Sequence, residues 1–175
     1  MPTSLRGIAN RARRDKRARF GDLYWLLNKE NLRGCFHQLR RSAAPGVDKV
    51  TFEEYERDLD TNLTSLVERL KGKRYRAKLV RRKYIPKANG KLRPLGIPAL
   101  EDKLLQVAVA QVLTAIYEQD FLECSWGYRP RRGPREASRA LAGRLYAGRI
   151  GWVVEADIRG FFDNISHGWM MRMLA

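Results

Sequence analysis

The stretch Tyr84-Ile-Pro-Lys-Ala-Asn-Gly-Lys-Leu-Arg-Pro-Leu-Gly-Ile-Pro98 decides the fold, because it predicts a basic β-hairpin. The Asn89-Gly90 pair readily adopts the positive φ angles that a tight hairpin turn needs. Pro86 and Pro94 lack a donor N–H, so both strands are predicted to be edge strands. Residues 75–98 are therefore predicted to contain two antiparallel strands.

Six cations surround this turn, namely Arg81, Arg82, Lys83, Lys87, Lys91 and Arg93. Like charges on one small exposed hairpin repel one another unless an anion lies among them. An incoming triphosphate or a nucleic-acid backbone would supply that anion. The alternative is a merely solubilising surface, which is the better account of any single lysine.

Apolar residues at helical spacing predict helices on both sides of the hairpin. The predicted helices cover residues 22–41, 52–70, 101–121, 135–146 and 166 onward, and a strand is predicted over residues 151–157. Thr51 and Glu54 match the capping box of a helix start. Because there is no regular βα alternation and no glycine-rich phosphate loop, the pattern indicates an α+β protein.

The charge of the chain predicts a polyanionic partner. The 175 residues include 35 Lys and Arg against 19 Asp and Glu, a net charge of +16 that is spread along the chain. No run approaches the roughly 18 apolar residues of a membrane-spanning helix, so nucleic acid is favoured over a membrane.

The N-terminal residues and the cysteines indicate the compartment. Residues 1–20 are rich in arginine but lack the apolar region of a secretory signal. We interpret them as a basic arm that contacts nucleic acid, with organelle import as the alternative. Cys35 and Cys124 show no zinc-ligand spacing with His37 or His167, which predicts free thiols in a reducing cytoplasm.

The segment Glu155-Ala-Asp-Ile-Arg-Gly-Phe-Phe-Asp-Asn-Ile165 contains the candidate catalytic residue. The predicted strand ends at Asp157, and polymerases hold two divalent ions with carboxylates fixed on rigid β-structure. The alternative is that Asp157 is solvated or caps the next helix, as acidic residues at strand ends commonly do.

A second candidate segment is Ser125-Trp-Gly-Tyr-Arg-Pro130, which is followed by Arg131 and Arg132. Aromatic rings interleaved with arginines can stack on bases while the cations contact phosphates. Alternatively, Trp126 and Tyr128 pack into the core, and the sequence leaves both interpretations open.

Together these segments resemble the group II intron reverse transcriptase/maturase family. Four blocks follow that family's order: Pro45-Gly-Val-Asp48, the stretch from Tyr84 to Pro98, Ser125-Trp-Gly-Tyr-Arg-Pro130, and the stretch from Glu155 to Ile165. The resemblance implies a right-hand polymerase in which residues 21–150 form the fingers and residues 151–175 the start of the palm. The basic arm, residues 1–20, would precede them.

The resemblance also implies roles for single residues. Asp157 would be the first catalytic aspartate and a ligand of both magnesium ions, with the Ile158 carbonyl close to one of them. Phe162 would crowd the sugar 2′ carbon and so favour deoxynucleotides, whereas Asp163 would be structural. The residues expected to grip the incoming triphosphate are Lys87, Arg93 and, as a third, Arg81. Those expected to contact nucleic acid are Lys83, Lys91, Arg129 and Arg131.

The function implied by the resemblance is Mg²⁺-dependent, RNA-directed DNA synthesis for a mobile element. Its partners would be an RNA template with a primer, or intron RNA, together with deoxynucleoside triphosphates. The family's Tyr-x-Asp-Asp motif does not occur in these 175 residues. We therefore expect the chain to be inert alone and to need the C-terminal part of the polymerase.

Two other functions stay open at this point. The first is a non-catalytic module that binds intron RNA, such as a maturase remnant. The second is a basic structural RNA-binding protein, which would leave the ordered blocks unexplained. The expected location is a bacterial cytoplasm, with association with the nucleoid or an organelle as alternatives.

Overall fold

The structure is a computed structural model that describes residues 4–86, 90–148 and 150–174. The described residues fall into two compact units, unit 1 up to Leu122 and unit 2 from Glu123 onward. Unit 1 contains α1 (Leu5–Arg14), a 3-10 helix (Leu23–Leu26), α2 (Lys29–Phe36), α3 (Phe52–Arg57), α4 (Leu59–Lys71), β1 (Arg81–Pro86), β2 (Leu92–Ile97) and α5 (Leu100–Tyr117). Unit 2 contains α6 (Pro134–Tyr146), a 3-10 helix (Phe162–Asn164) and α7 (His167–Leu174).

The core of unit 1 is built by α2, α3, α4 and α5. Phe36 lies at its centre and stacks on Phe52, with ring centroids 4.3 Å apart. The other buried members are Leu32, Cys35, Tyr55, Leu63, Leu66, Leu70, Leu100, Leu104 and Ala108. The core therefore combines residues from the first half of the chain with the helix that follows the hairpin.

The N-terminal residues contain a helix. Ser4 caps α1 by accepting a hydrogen bond from the Gly7 N–H at 3.2 Å, and Ile8 and Ala12 are buried. Unit 1 thus includes part of the predicted basic arm, because α1 packs against α5. The subdomain boundaries at residues 20 and 150 stay predictions.

Two predicted helices are each broken in the structure, so their single-helix predictions were wrong. Residues 22–41 form a 3-10 helix and then α2, because Asn28 accepts a hydrogen bond from the Asn31 N–H at 2.9 Å and starts a new helix. Residues 52–70 are divided at Asp58, whose φ of −115° and ψ of 35° leave the helical region. The apolar stripe continues across both breaks, which hides them from periodicity.

The helices predicted after the hairpin are confirmed. α5 ends at Tyr117, four residues before the predicted end, and α6 and α7 begin within one residue of their predicted starts. For these three helices the apolar periodicity alone is sufficient to predict where each begins.

The two predicted hairpin strands are confirmed, whereas the predicted strand over residues 151–157 is wrong. The predicted Asn89-Gly90 turn lies partly outside the described residues, since these do not include 87–89. β1 and β2 pair antiparallel in a two-stranded sheet, so each strand is an edge strand that tolerates Pro86 or Pro94. Residues 151–157 belong to no strand, since no other described strand pairs with them. The fold is therefore a mixture of helices with one small antiparallel sheet.

The capping box at the start of α3 is confirmed and allows a stability prediction. The Thr51 hydroxyl accepts from the Glu54 N–H at 3.2 Å, and the Glu54 carboxylate accepts from the Thr51 N–H at 2.8 Å. The bonds that the Glu54 carboxylate accepts from the Thr51 N–H and hydroxyl lower the pKa of Glu54. We expect Thr51→Ala to lower the free energy of unfolding by about 1 kcal/mol, because it leaves a helix donor unsatisfied.

Urea unfolding measures this effect as a lower midpoint at unchanged slope. Thr51→Ser, which keeps the hydroxyl, is expected to retain most of the stability. Thr64→Ala, on the exposed side of α4, is the matched control and should change stability by less than about 0.5 kcal/mol. Equal losses for Thr51→Ala and Thr64→Ala would contradict the capping role.

Candidate nucleotide and nucleic-acid interface

The register of the hairpin sorts its side chains onto two faces. Lys83 lies opposite Leu95, and Ile85 lies opposite Arg93. Because side chains alternate along a strand and directly opposed residues share a face, three predicted cations come together on one side. We call this side the cationic face, and its members are Arg81, Lys83, Ile85, Arg93, Leu95 and Ile97.

The cations of this face are available to a ligand. Arg81, Lys83 and Arg93 are exposed, and within the described residues none of them forms an ion pair with a carboxylate. Lys91, predicted to contact nucleic acid, is also exposed. Lys87, predicted to grip the triphosphate, lies outside the described residues.

The root of the hairpin is held by two carboxylates. The Asp102 side chain accepts the Tyr75 hydroxyl and, at 3.1 Å, the Lys78 N–H. The Lys78 ammonium contacts the Asp48 carboxylate at 3.0 Å. Burial, followed by the bond to Asp102, raises the pKa of Tyr75. The Pro45-Gly-Val-Asp48 block thus helps to fix the position from which the hairpin projects.

Lys103 adds a cation that the sequence analysis missed. Its ammonium donates to the Ala44 carbonyl at 2.6 Å. Burial lowers the pKa of Lys103, and the nearby Arg81 guanidinium lowers it further. The Lys103 ammonium and the Arg81 guanidinium are thus two positive charges near each other at the hairpin root.

A polar cavity of about 660 Å³ lies next to the hairpin root and is lined by residues from α3, α4 and α5. On its wall, Arg69 donates two hydrogen bonds to Glu101, at 3.0 and 2.6 Å. The Tyr55 hydroxyl donates to the same carboxylate at 3.2 Å, and burial raises the pKa of Tyr55. Because these groups satisfy one another, we assign them to support of the fold.

The predicted catalytic segment lies in unit 2. Gly160 has a φ of +62°, and its carbonyl accepts from the Asn164 N–H at 3.2 Å and from the Asn164 side-chain amide at 2.8 Å. This turn leads into the 3-10 helix, where the Phe162 ring meets Phe161 edge to face at 5.3 Å. Asp157, Ile158 and Phe162 are all exposed.

The residues present do not complete a magnesium site. Within the described part of the chain, no three His, Cys, Asp or Glu side chains lie close enough to hold a metal ion. Asp157 offers one carboxylate and Ile158 one carbonyl, whereas magnesium prefers octahedral oxygen coordination. This donor set does not fit two ions, and the role of Asp157 as a metal ligand stays a prediction.

The loop of unit 2 with interleaved aromatic rings and arginines, residues 125–132, contains two residues predicted to contact nucleic acid. They differ in burial. Arg129 is buried and donates to the Ser125 carbonyl at 2.9 Å. Arg131 and Tyr128 are exposed and have positive φ angles of 59° and 56°. Tyr128 therefore does not pack into a core within this unit, whereas Arg129 holds the loop in shape.

Arg132 is a further residue that the sequence analysis did not assign. Its guanidinium lies over the half-buried Trp126 ring, 5.0 Å from the centroid, and donates to the Glu123 carbonyl at 2.5 Å. The signal available in the sequence was the spacing of Trp126 and Arg132 around a turn. It indicates a contact but does not say which arginine makes it.

The two cysteines differ in burial. Cys35 is buried, which raises the pKa of its thiol, and Cys124 is exposed; both are free. No described helix combines the length and the hydrophobicity needed to cross a bilayer.

Comparison with known protein families identifies the family of this chain. The model of the reverse transcriptase (RNA-dependent DNA polymerase) family matches residues 85–175, more than half of the chain. The chain belongs to the reverse transcriptase family. The matched region of this reverse transcriptase chain includes β2, the aromatic and arginine loop and the segment of Asp157.

Similar proteins place the reverse transcriptase chain in the group II intron branch, which confirms the resemblance. It is 42% identical over 109 residues to the group II intron-encoded protein LtrA of Lactococcus lactis, covering 62% of this chain and 18% of LtrA. It is 40% identical over 131 residues to protein YkfC of Escherichia coli, covering 73% of this chain and 34% of YkfC. An uncharacterized 91 kDa protein in the cob intron of Schizosaccharomyces pombe is 30% identical over 154 residues, or 86% of this chain and 18% of that protein. The chain thus spans between about a fifth and a third of these relatives.

Proposed function

We propose that this chain supplies the nucleotide-binding and template-binding part of an RNA-directed DNA polymerase of the group II intron type. In this proposal Arg93 and Arg81 of the cationic face bind the triphosphate of an incoming deoxynucleotide, together with Lys87. The observation that carries the proposal is the hairpin register, which gathers Arg81, Lys83 and Arg93 on one exposed face. Guanidinium groups suit this task because they form paired, charge-assisted hydrogen bonds with phosphate oxygens.

The remaining predicted residues are proposed to act on the template and the sugar. Lys83 and Lys91 would contact the nucleic-acid backbone, and Arg131 would do so from the loop of unit 2. Arg129 would contribute by holding that loop, since its guanidinium is buried against the Ser125 carbonyl. The exposed Phe162 ring would exclude a 2′-hydroxyl.

The proposed architecture is that of a right-hand polymerase, with fingers over residues 21–150 and the start of the palm over residues 151–175. Asp157 and the Ile158 carbonyl do not complete a magnesium site by themselves. We therefore propose magnesium-dependent synthesis for a protein in which further carboxylates join Asp157. The proposed partners are an RNA template with a primer, or intron RNA, and deoxynucleoside triphosphates, in a bacterial cytoplasm or, alternatively, in an organelle.

A second candidate function is binding of intron RNA without catalysis. The net charge of +16, spread along the chain, favours it. The two candidates differ in one measurable respect: only under the first does a longer protein that contains this chain extend oligo(dT) on poly(rA) in the presence of Mg²⁺.

The nucleotide-binding proposal is tested by Arg93→Ala. Removal of a charge-assisted phosphate contact is expected to weaken dTTP binding about tenfold or more. Isothermal titration with dTTP at low ionic strength measures the effect, because salt screens exposed charges. Arg93→Lys is expected to recover part of the affinity, since it keeps the charge without the paired donors.

Arg139→Ala is the matched control for this experiment. Arg139 is an exposed arginine of α6 in unit 2, and its removal lowers the net charge by the same amount. We expect it to change dTTP affinity less than twofold, roughly. Equal losses for the two variants would show that dTTP responds only to net charge, and would overturn the proposal.

A further inference from the structure

The hairpin has a second face on which none of the predicted nucleotide contacts lies. Its members alternate with those of the cationic face and are Arg82, Tyr84, Pro86, Leu92, Pro94 and Gly96. We call it the aromatic face. Tyr84 is 56% exposed and Leu92 is 61% exposed, so both present apolar surface to solvent.

The aromatic face is covered at its root and open beyond it. Val80 lies over Gly96, where an added Cβ would come within 3.2 Å of the Val80 side chain. Farther out, Tyr84 lies opposite Pro94 and more than half of its surface is exposed. Among the described contacts, Tyr84 has no hydrogen bond or ring partner. Its exposure therefore serves no packing role in unit 1.

We propose that the aromatic face binds single-stranded RNA, with one base stacked on Tyr84 and an adjacent phosphate held by Arg82. Arg82 lies two residues before Tyr84 on the same strand, so both side chains point to the same side. An aromatic platform beside a cation is the arrangement that binds single-stranded nucleic acid irrespective of sequence. This inference rests on the proposed function, which supplies RNA as the substrate.

Charge favours RNA over a second copy of this chain as the occupant. A second copy packed on this face would bring together two chains that each carry a net charge of +16. A polyanion instead gains from Arg82 and from the cations on the opposite side of the same hairpin. Leu92, diagonal to Tyr84, extends the apolar surface available to a base.

The test measures binding of a fluorescein-labelled oligouridylate of about twelve nucleotides, a length within the range of single-strand binding sites. Tyr84→Ala is expected to weaken binding about tenfold, whereas Tyr84→Phe should remain within about twofold, because stacking needs the ring and not the hydroxyl. The matched control is Tyr146→Ala, which removes a 91% exposed tyrosine from unit 2 and should leave binding unchanged.

Three results would overturn the inference. The first is that Tyr84→Ala binds the oligouridylate as tightly as the wild type. The second is that Tyr84→Phe loses as much affinity as Tyr84→Ala. The third is that the wild-type chain forms concentration-dependent dimers that Tyr84→Ala abolishes. A second measurement needs no variant: irradiation of the wild-type chain with 5-bromouridine in the same oligomer should attach RNA to the peptide containing Tyr84. Adducts confined to other peptides would also contradict the inference.

Failure of the inference and failure of the proposed function give different results. Suppose that Tyr84→Ala weakens oligouridylate binding while Arg93→Ala leaves dTTP affinity unchanged. The result would support RNA binding by the aromatic face and contradict the proposed nucleotide site. If instead Arg93→Ala weakens dTTP binding and Tyr84→Ala leaves oligouridylate binding unchanged, only the RNA-binding inference is contradicted.

Discussion

Replacing Gly46 by alanine is expected to lower the free energy of unfolding by about 3 kcal/mol, at the upper end of the usual cost of overpacking. Gly46 is buried against the chain that leaves the hairpin. A Cβ built on it would lie 2.5 Å from the Ala99 Cα and 2.6 Å from the Ala99 nitrogen. Both are backbone atoms, so the clash is relieved only by moving the loop or the start of α5.

Chemical denaturation followed by far-ultraviolet circular dichroism measures this loss. Gly34→Ala is the matched control, because nothing lies within 4 Å of a Cβ at Gly34 in the interior of α2. That variant should stabilise the protein by about 0.5 to 1 kcal/mol, owing to the better helix propensity of alanine. A Gly46→Ala variant as stable as the wild type would show that the loop does not need this close approach.

The largest expected effect on activity comes from Asp157→Asn in a protein that contains this chain and synthesises DNA. The change keeps the shape of the side chain but removes the negative charge with which the Asp157 carboxylate would offset the charge of magnesium. We expect synthesis on poly(rA)/oligo(dT) to fall on the order of a thousandfold, equivalent to several kcal/mol of transition-state stabilisation. RNA affinity should stay within a few-fold, since Asp157 is not among the proposed phosphate contacts.

Glu155→Gln provides the control for charge removal in the same exposed segment. It should retain synthesis within about threefold, because an exposed charge two residues away interacts weakly. Full activity in Asp157→Asn would reject the metal-ligand assignment. A parallel loss of RNA binding would instead indicate that the segment is needed for the fold.

The parts of the fold that were predictable depend on local chemistry. The capping box of Thr51 and Glu54, the Asn-Gly turn signal and the apolar stripe of α5 each involve residues close in sequence. Their physical causes are complete within a few residues of chain. The structure therefore contains α3, the hairpin and α5 where the sequence predicts them.

The predictions that were wrong concern elements whose formation depends on a distant partner or on a competing local hydrogen bond. Asn28 starts α2 through its side chain, a signal that the continuous apolar run from Leu23 to Leu27 conceals. Val153 and Val154 favour a strand by propensity, yet a strand exists only where another strand pairs with it. Propensity alone cannot supply that partner.

For the candidate site, the sequence indicated which residues carry charge but not which of them share a face. A one-residue shift of β2 against β1 would have placed Arg93 on the same face as Arg82 and Tyr84, instead of with Arg81 and Lys83. The root contacts of Lys78 and Lys103 involve Asp48 and Ala44, more than 20 residues away in sequence. Such pairings follow from tertiary packing and leave no local pattern.

The hairpin extends from unit 1 as a two-stranded ribbon. Ile97, at its root, is buried. A two-stranded hairpin is only marginally stable when it stands alone. A ligand that orders the strands from one side would therefore reduce the entropy cost for a ligand on the other side. Linkage makes this effect equal in both directions, so nucleotide and RNA would each raise the affinity for the other without touching.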